Sequence, residues 1–160
     1  MRLQLALNVD NLDDAIDFYT KMFATPPAKV KPGYANFAIA DPPLKLVLFE
    51  GAGPSGSINH LGVETETSGE VLAAESRLAE SGLETTGVDE TICCYAEKTE
   101  TWVHAPDGNK WEWYVKKADA EQLQNIVISG ANAEGGGCCA PAPAVAVAPA
   151  AGADAAPCCG

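Results

Sequence analysis

The sequence predicts an α+β fold in which two βαβββ modules form an incomplete barrel, followed by a flexible C-terminal tail. Three observations predict it. Hydrophobic periodicity switches between about 2 and about 3.6 residues along most of the chain. The order strand, helix, strands occurs twice. Composition then breaks after Ser129: residues 130–160 are almost all Ala, Gly, Pro and Cys, with no Lys, Arg or aromatic residue. Such a segment buries too little apolar surface to offset the entropy of ordering it.

The elements follow in order. Leu3, Leu5, Leu7 and Val9 alternate with Gln4, Ala6 and Asn8, which is a strand with one apolar face. Leu12, Ala15, Ile16, Tyr19, Met22 and Phe23 then recur at helical spacing, with Asp10 or Asn11 as N-cap and Asp13 and Asp14 in the first turn, where the helix dipole favours carboxylates. Tyr34 to Ala40 and Leu44 to Glu50 read as strands around the turn Asp41-Pro42-Pro43.

The second module repeats this. Ile58 to Glu66 alternates as a strand, Thr67 and Glu70 have capping-box spacing before the helix of Val71, Leu72, Ala74, Leu78 and Ala79, and Gly82 stops it. Short strands are expected around Thr91 to Ala96, Thr101 to Ala105 and Lys110 to Lys116, the last two joined by Pro106-Asp107-Gly108-Asn109. The folded domain is thus residues 1–120, with modules at about 2–52 and 57–117, and residues 121–160 are linker and tail. Asp119 to Ile128 is expected to add a last helical turn or two.

A net charge of −12 argues against nucleic acid and anionic membranes, which repel a surface of the same sign, and leaves small molecules and cations as partners. No apolar run is long enough to span a bilayer, and Gln4, Asn8 and Asp10 interrupt any signal-peptide pattern, so a cytoplasmic protein is expected, as monomer or homodimer.

The repeat allows positions to be compared between modules. The opening strands align Gln4 with His60, and the closing strands align Val47 with Glu112. Gln4 lies opposite Leu3, Leu5 and Leu7; His60 opposite Leu61 and Val63; Glu112 opposite Trp111, Trp113 and Val115. With the apolar faces under the helices, Gln4, His60 and Glu112 converge on the concave side, a metal-site pattern. Glu50 has the wrong parity for that cavity, and His104 and Glu64 are weaker donors. All six cysteines come as adjacent pairs, Cys93-Cys94, Cys138-Cys139 and Cys158-Cys159.

Paired modules with a histidine on an opening strand and a glutamate on a closing strand after Pro-Asp-Gly-Asn resemble the vicinal oxygen chelate superfamily of glyoxalase I, extradiol dioxygenases and bleomycin-resistance proteins. Within it, Gln4-Leu5-Ala6-Leu7, Lys31-Pro32-Gly33-Tyr34-Ala35-Asn36-Phe37-Ala38-Ile39, Pro42-Pro43-Leu44-Lys45-Leu46-Val47-Leu48, Asn59-His60-Leu61-Gly62-Val63-Glu64 and Cys93-Cys94-Tyr95 resemble the organoarsenical carbon-arsenic lyases and the related cadmium-induced proteins. The resemblance covers residues 2 to about 117 and leaves out the tail.

The resemblance implies an Fe(II) dioxygenase site at Gln4, His60 and Glu112. One imidazole, one carboxylate and one neutral amide leave coordination positions open for substrate and O2, as the two-histidine, one-carboxylate triad does. Val47 cannot ligate, which argues against glyoxalase I. Cys93 and Cys94, expected as reduced thiols in a cytosolic protein, suit a soft centre such as trivalent arsenic or cadmium. Strand alternation sends neighbouring side chains to opposite faces, so both sulfurs converge only at a bulge, turn or mobile loop, and an irregular, movable segment is expected near residues 87–99. The implied reaction is O2-dependent cleavage of the carbon-arsenic bond of trivalent organoarsenicals, giving inorganic As(III). A protein that sequesters arsenicals or cadmium without turnover, and a dioxygenase for a carbon substrate such as a catechol, are the alternatives. Cys138, Cys139, Cys158 and Cys159 are auxiliary thiols that could gather thiophilic ions. Tyr34, Tyr95, Lys98 and Trp102 are cavity neighbours without an assigned role.

Overall fold

The computed structural model describes residues 1–133; Cys138, Cys139, Cys158 and Cys159, and the expected tail around them, lie outside the described residues. The first module comprises β1 (Arg2–Val9), α1 (Leu12–Phe23), β2 (Lys29–Lys31), β3 (Tyr34–Ile39) and β4 (Leu44–Glu50). The second comprises β5 (Ile58–Glu64), α2 (Ser68–Glu80), β6 (Asp89–Cys93), β7 (Ala96–His104) and β8 (Lys110–Asp119), and a last strand, β9 (Ile126–Gly130), follows. All belong to one sheet in the order β2-β3-β4-β1-β5-β8-β7-β6-β9. In each module the opening strand lies parallel to the closing one, β1 with β4 and β5 with β8, and the modules join through the antiparallel pair β1–β5.

Local chemistry accounts for the helices. Asn11 is extended and its side chain accepts from the Asp14 N–H, with Asp13 and Asp14 in the first turn of α1. Glu50, which has no place in the cavity, accepts from the Leu12 N–H at 2.9 Å and so serves the same helix start. At α2, Thr67 and Glu70 form a full capping box. Leu5, Leu7 and Val9 pack with Leu12, Ala15, Ile16 and Tyr19 of α1 over Phe37, Leu46 and Leu48, which makes the helix-covered side of the sheet the first core.

The opposite side of the sheet is more deeply buried. On β1 the polar Gln4 and Asn8 are buried, whereas Leu3 is 56% exposed. Sheet curvature explains this: the Tyr34 ring of β3 lies 5.2 Å from the ring of Tyr95, the residue just before β7, although four strands separate β3 from β7 in the sheet. The seam is closed by side chains and not by a strand pair. Lys29 Nζ donates to Tyr95 O at 2.8 Å, Tyr95 OH to Pro32 O at 3.2 Å, and Lys31 pairs with Glu121 at 2.7 Å.

Three expectations need correction, and one strand was not foreseen. Residues 119–128 carry no helical turn: β8 runs on to Asp119, and Ile126 and Val127 pair antiparallel with Ile92 and Thr91 of β6. The strand expected from Thr91 to Ala96 stops at Cys93, because Cys94 and Tyr95, at φ 57 and φ 61, make a two-residue turn between β6 and β7. The segment near 87–99 is therefore mostly a regular hairpin and not an irregular loop. β2, three residues long, carries no alternation long enough to read. No helix among the described residues is long and apolar enough to cross a membrane.

Candidate metal centre and thiol pair

Strand register assembles the site. Gln4 on β1, Gly62 on β5 and Glu112 on β8 lie side by side, with Lys45 of β4 on the far side of Gln4. His60 sits two residues before Gly62 on the same face. Gln4 Nε2 is 2.9 Å from His60 Nε2 and 3.1 Å from Glu112 Oε2, and His60 Nε2 is 3.6 Å from Glu112 Oε2. Adjacent ligands at right angles, each about 2.1 Å from a divalent ion, stand about 3.0 Å apart, so the three groups fit one metal ion. The chemistry of the set adds one requirement. Gln4 Oε1 accepts from Tyr114 OH at 2.5 Å, so the amide presents its nitrogen to His60 and Glu112. An amide turned end for end presents the oxygen to a metal and gives its N–H to the tyrosine oxygen instead. Among the described residues no three His, Cys, Asp or Glu side chains form a metal cluster by themselves, so a three-donor site at His60 and Glu112 would need the Gln4 amide.

The surroundings fix each donor. His60 Nδ1 faces Asn59 Oδ1 at 2.8 Å, which directs Nε2 toward the cavity, and Trp102 meets the ring edge-on at 5.3 Å. Lys98 binds Glu112 Oε1 and leaves Oε2 for Gln4 and His60; it also pairs with Glu100 Oε2 at 2.6 Å. Burial pushes the Glu112 carboxyl up, but Lys98 and His60 outweigh it and hold its pKa well below the carboxylate range. Burial pulls the Lys98 ammonium down, and Glu112 and Glu100, with Cys93 and Cys94, more than offset it. Burial raises Glu100, with the neighbouring Glu112 charge, against the pull of Lys98. Burial likewise lifts the Tyr34 and Tyr114 phenols above their ordinary value.

The turn resolves the thiol geometry. Cys93 ends β6 and Cys94 opens the turn, so the chain reverses between them and places the sulfurs 2.8 Å apart, without a disulfide. The Cys94 and Tyr95 N–H groups donate to Leu123 O and Gln122 O at 3.0 Å and 2.8 Å, so the segment leading to β9 holds the turn in place. Both cysteines and the Gln4, His60 and Glu112 side chains line a single cavity of about 210 Å³. Tyr34, Val47 and Phe49 form its apolar wall and Tyr95 packs against them beside Cys94, but Tyr95 and Trp102, expected as cavity neighbours, do not line it. Val47 thus faces the cavity at the place matching Glu112, where it cannot ligate.

The remaining expected donors do not join the three groups. His104 is exposed at the end of β7, and Glu64 lines the cavity but is held by Arg2 and by Lys45 at 3.3 Å. Sequence reading missed Gly62, Lys45, Glu100 and Arg2. Gly62 carried a signal, lying two residues from His60 on the cavity face; Lys45 did not, because its place beside Gln4 depends on the parallel register of β1 and β4.

Residues 3–113 match the family described as the Glyoxalase/Bleomycin resistance protein/Dioxygenase superfamily. The chain is 51% identical over 159 residues to the trivalent organoarsenical cleaving enzyme of Thermomonospora curvata, covering 99% of each chain. That match runs through the tail, beyond the residue 117 limit read from the sequence. It is also 56% identical over 120 residues to cadmium-induced protein CadI of Mycobacterium bovis, covering 75% of this chain and 79% of that one. Among solved structures, the Mn(II)-bound glyoxalase of Novosphingobium aromaticivorans superposes with a TM-score of 0.55 at 14% identity, over 76% of this chain and 41% of that one, a likeness of fold.

Proposed function

Because the chain belongs to the glyoxalase/bleomycin resistance protein/dioxygenase superfamily, we propose that it is an Fe(II)- and O2-dependent carbon-arsenic lyase for trivalent organoarsenicals, working in the cytoplasm. One observation carries the reading: the Cys93-Cys94 pair and the Gln4, His60 and Glu112 side chains open onto the same cavity. The name of the Thermomonospora relative supports the substrate class.

Cys93 and Cys94 each displace one hydroxyl of an arsonous acid, R–As(OH)2; the two thiol protons leave with the hydroxyls as two waters, and the carbon-arsenic bond stays uncovered. The apolar wall of Tyr34, Val47 and Phe49 receives R. At about 210 Å³ the cavity exceeds the roughly 150 Å³ that takes up benzene in a protein core, so methyl and aryl groups both fit. Iron bound by Gln4, His60 and Glu112 would supply the O2 activation that thiols and carboxylates lack. Lys98 keeps Glu112 anionic and single-pointed, and Asn59 keeps the His60 Nε2 directed inward. For R = methyl, CH3As(OH)2 and O2 balance as As(OH)3 and formaldehyde.

The test is O2 uptake and inorganic As(III) release by the iron-loaded protein given methylarsonous acid. Equal consumption and release, lost in Cys93→Ser and in Gln4→Ala, is the expected result. The match to a cadmium-induced protein favours a second reading, sequestration without turnover. No turnover, with tight arsenical binding that needs Cys93, would establish that reading and overturn the first. Cys138, Cys139, Cys158 and Cys159 act in this proposal as auxiliary thiols that raise the local concentration of arsenical. Since β9 and Asn132 belong to the fold, the cut that removes these thiols alone belongs after Ala133. That truncation is expected to keep turnover at saturating substrate.

A further inference from the structure

The cavity carries a charge that the proposed chemistry does not use. The chain has 10 Lys and Arg against 22 Asp and Glu, yet 5 of those cations line this one cavity beside only 3 carboxylates. Lys98 is committed to Glu100 and Glu112. Lys29 and Lys116 flank Asp119 at the rim, where Asp119 is 63% exposed and water screens the group. Arg2 and Lys45 flank Glu64, whose side chain is only 14% exposed. One carboxylate between two cations leaves an excess positive charge there, with the Lys45 side chain 12% exposed and that of Arg2 32%.

Both cations have donors to spare. Lys45 Nζ gives one N–H to Glu64 Oε1 at 3.3 Å and one to Tyr114 OH at 2.8 Å, out of three. Arg2 reaches Glu64 through Nε, so that among the described residues its terminal fork meets no carboxylate. A guanidinium fork beside an ammonium matches the two oxygens of a carboxylate. Lys45 stands next to Gln4 in register, so the group it binds lies beside the metal position.

We propose that Arg2 and Lys45 form a subsite for a carboxylate or a similar anion carried by the ligand. The identity of that ligand rests on the proposed function. Arsonous acids are uncharged at neutral pH, so the anion has two sources: an acidic substituent on the carbon group, or a carboxylate-bearing thiol that delivers the arsenical as an adduct and is displaced by Cys93 and Cys94. A charge-assisted hydrogen bond to such a group tightens binding by about tenfold to a hundredfold.

The experiment uses the full-length, metal-free protein. Affinities of phenylarsonous acid and 4-carboxyphenylarsonous acid are measured by quenching of intrinsic fluorescence, and arsenic transfer rates are compared from mercaptoacetate and mercaptoethanol adducts of phenylarsonous acid. A preference of about tenfold for either carboxylated form, collapsing toward unity in both Arg2→Gln and Lys45→Gln, supports the subsite. A preference in the first arm names the substituent as the source, and in the second the carrier thiol. Equal behaviour of charged and neutral forms, with binding still dependent on Cys93, overturns the subsite and leaves the lyase reading standing. If phenylarsonous acid does not bind through Cys93 at all, both fall. The ratio between ligands is the readout, so a variant that folds less well still reports through it, and two variants on different strands guard against the loss of one.

Discussion

At Gly62 a β-carbon would stand 3.2 Å from Glu112 O and 3.3 Å from Gln4 Nε2, because the Gln4 side chain crosses β5 at the one place where no side chain bars its way to Glu112. Gly62→Ala should therefore leave the sheet folded and push the Gln4 amide out of line. Metal affinity by calorimetric titration is expected to fall by about tenfold or more, with arsenical binding to Cys93 and Cys94 kept. Glu100 gives a pH test. Its carboxyl is raised in the folded protein, so its contribution is fully present below the unfolded value and is lost as pH rises through the folded one. Glu112 is depressed and has the opposite sign: its contribution is present above the unfolded value and is lost as pH falls through the folded one. In the metal-free protein, Glu100→Gln should thus gain melting temperature relative to wild type at pH 8 and less so at pH 5; an equal offset at both would refute the assignment. Parity and the repeat made the positions of Gln4, His60 and Glu112 legible in the sequence, since a strand's faces follow from counting by two. The Lys98–Glu100–Glu112 cluster was not, because it depends on which β7 residues face β8 after a register shift between Glu97 and Lys98.

The hairpin of β6 and β7 shows what an element can conceal. A two-residue turn of this kind needs positive φ at both central residues, which glycine and asparagine supply cheaply; here Cys94 and Tyr95 hold φ 57 and φ 61. Holding two L-residues there costs about 1–2 kcal/mol each. Cys94→Gly is expected to be about 1 kcal/mol more stable than Cys94→Ala in chemical denaturation, while neither variant retains two-point arsenical capture. Nothing in Thr-Ile-Cys-Cys-Tyr signals a turn: its residues favour strand, and the conformation is imposed from outside by Leu123 and Gln122 accepting the turn's N–H groups. The helices, by contrast, announced themselves through caps that act locally, Asn11 on Asp14 and Thr67 with Glu70.

Across the whole molecule, the two modules were legible because each carries its own periodicity, whereas the strand pair that joins them shows only in the structure. The end of the domain was not. Composition placed it near residue 120, yet Leu123, Gln122 and β9 hold the β6–β7 hairpin, and Asn132 donates to Asp89 Oδ1 and Oδ2 at 2.8 Å each. Ending the chain after Ala120 should lower the melting temperature by about 5 °C or more relative to ending it after Ala133. Equal melting would show that the turn holds itself. Under the proposed function, the anchored turn also bears on how arsenic would leave. With the sulfurs 2.8 Å apart before any ligand arrives, the second arsenic–sulfur bond closes within one molecule, at an effective concentration no dissolved monothiol matches. Release then requires both bonds to be open within the same brief interval. A monothiol competitor must wait for that coincidence, whereas a small dithiol that has replaced one sulfur holds its second beside the other. On that reading the surrounding exchange chemistry, more than the strength of either bond, sets how long an arsenical stays.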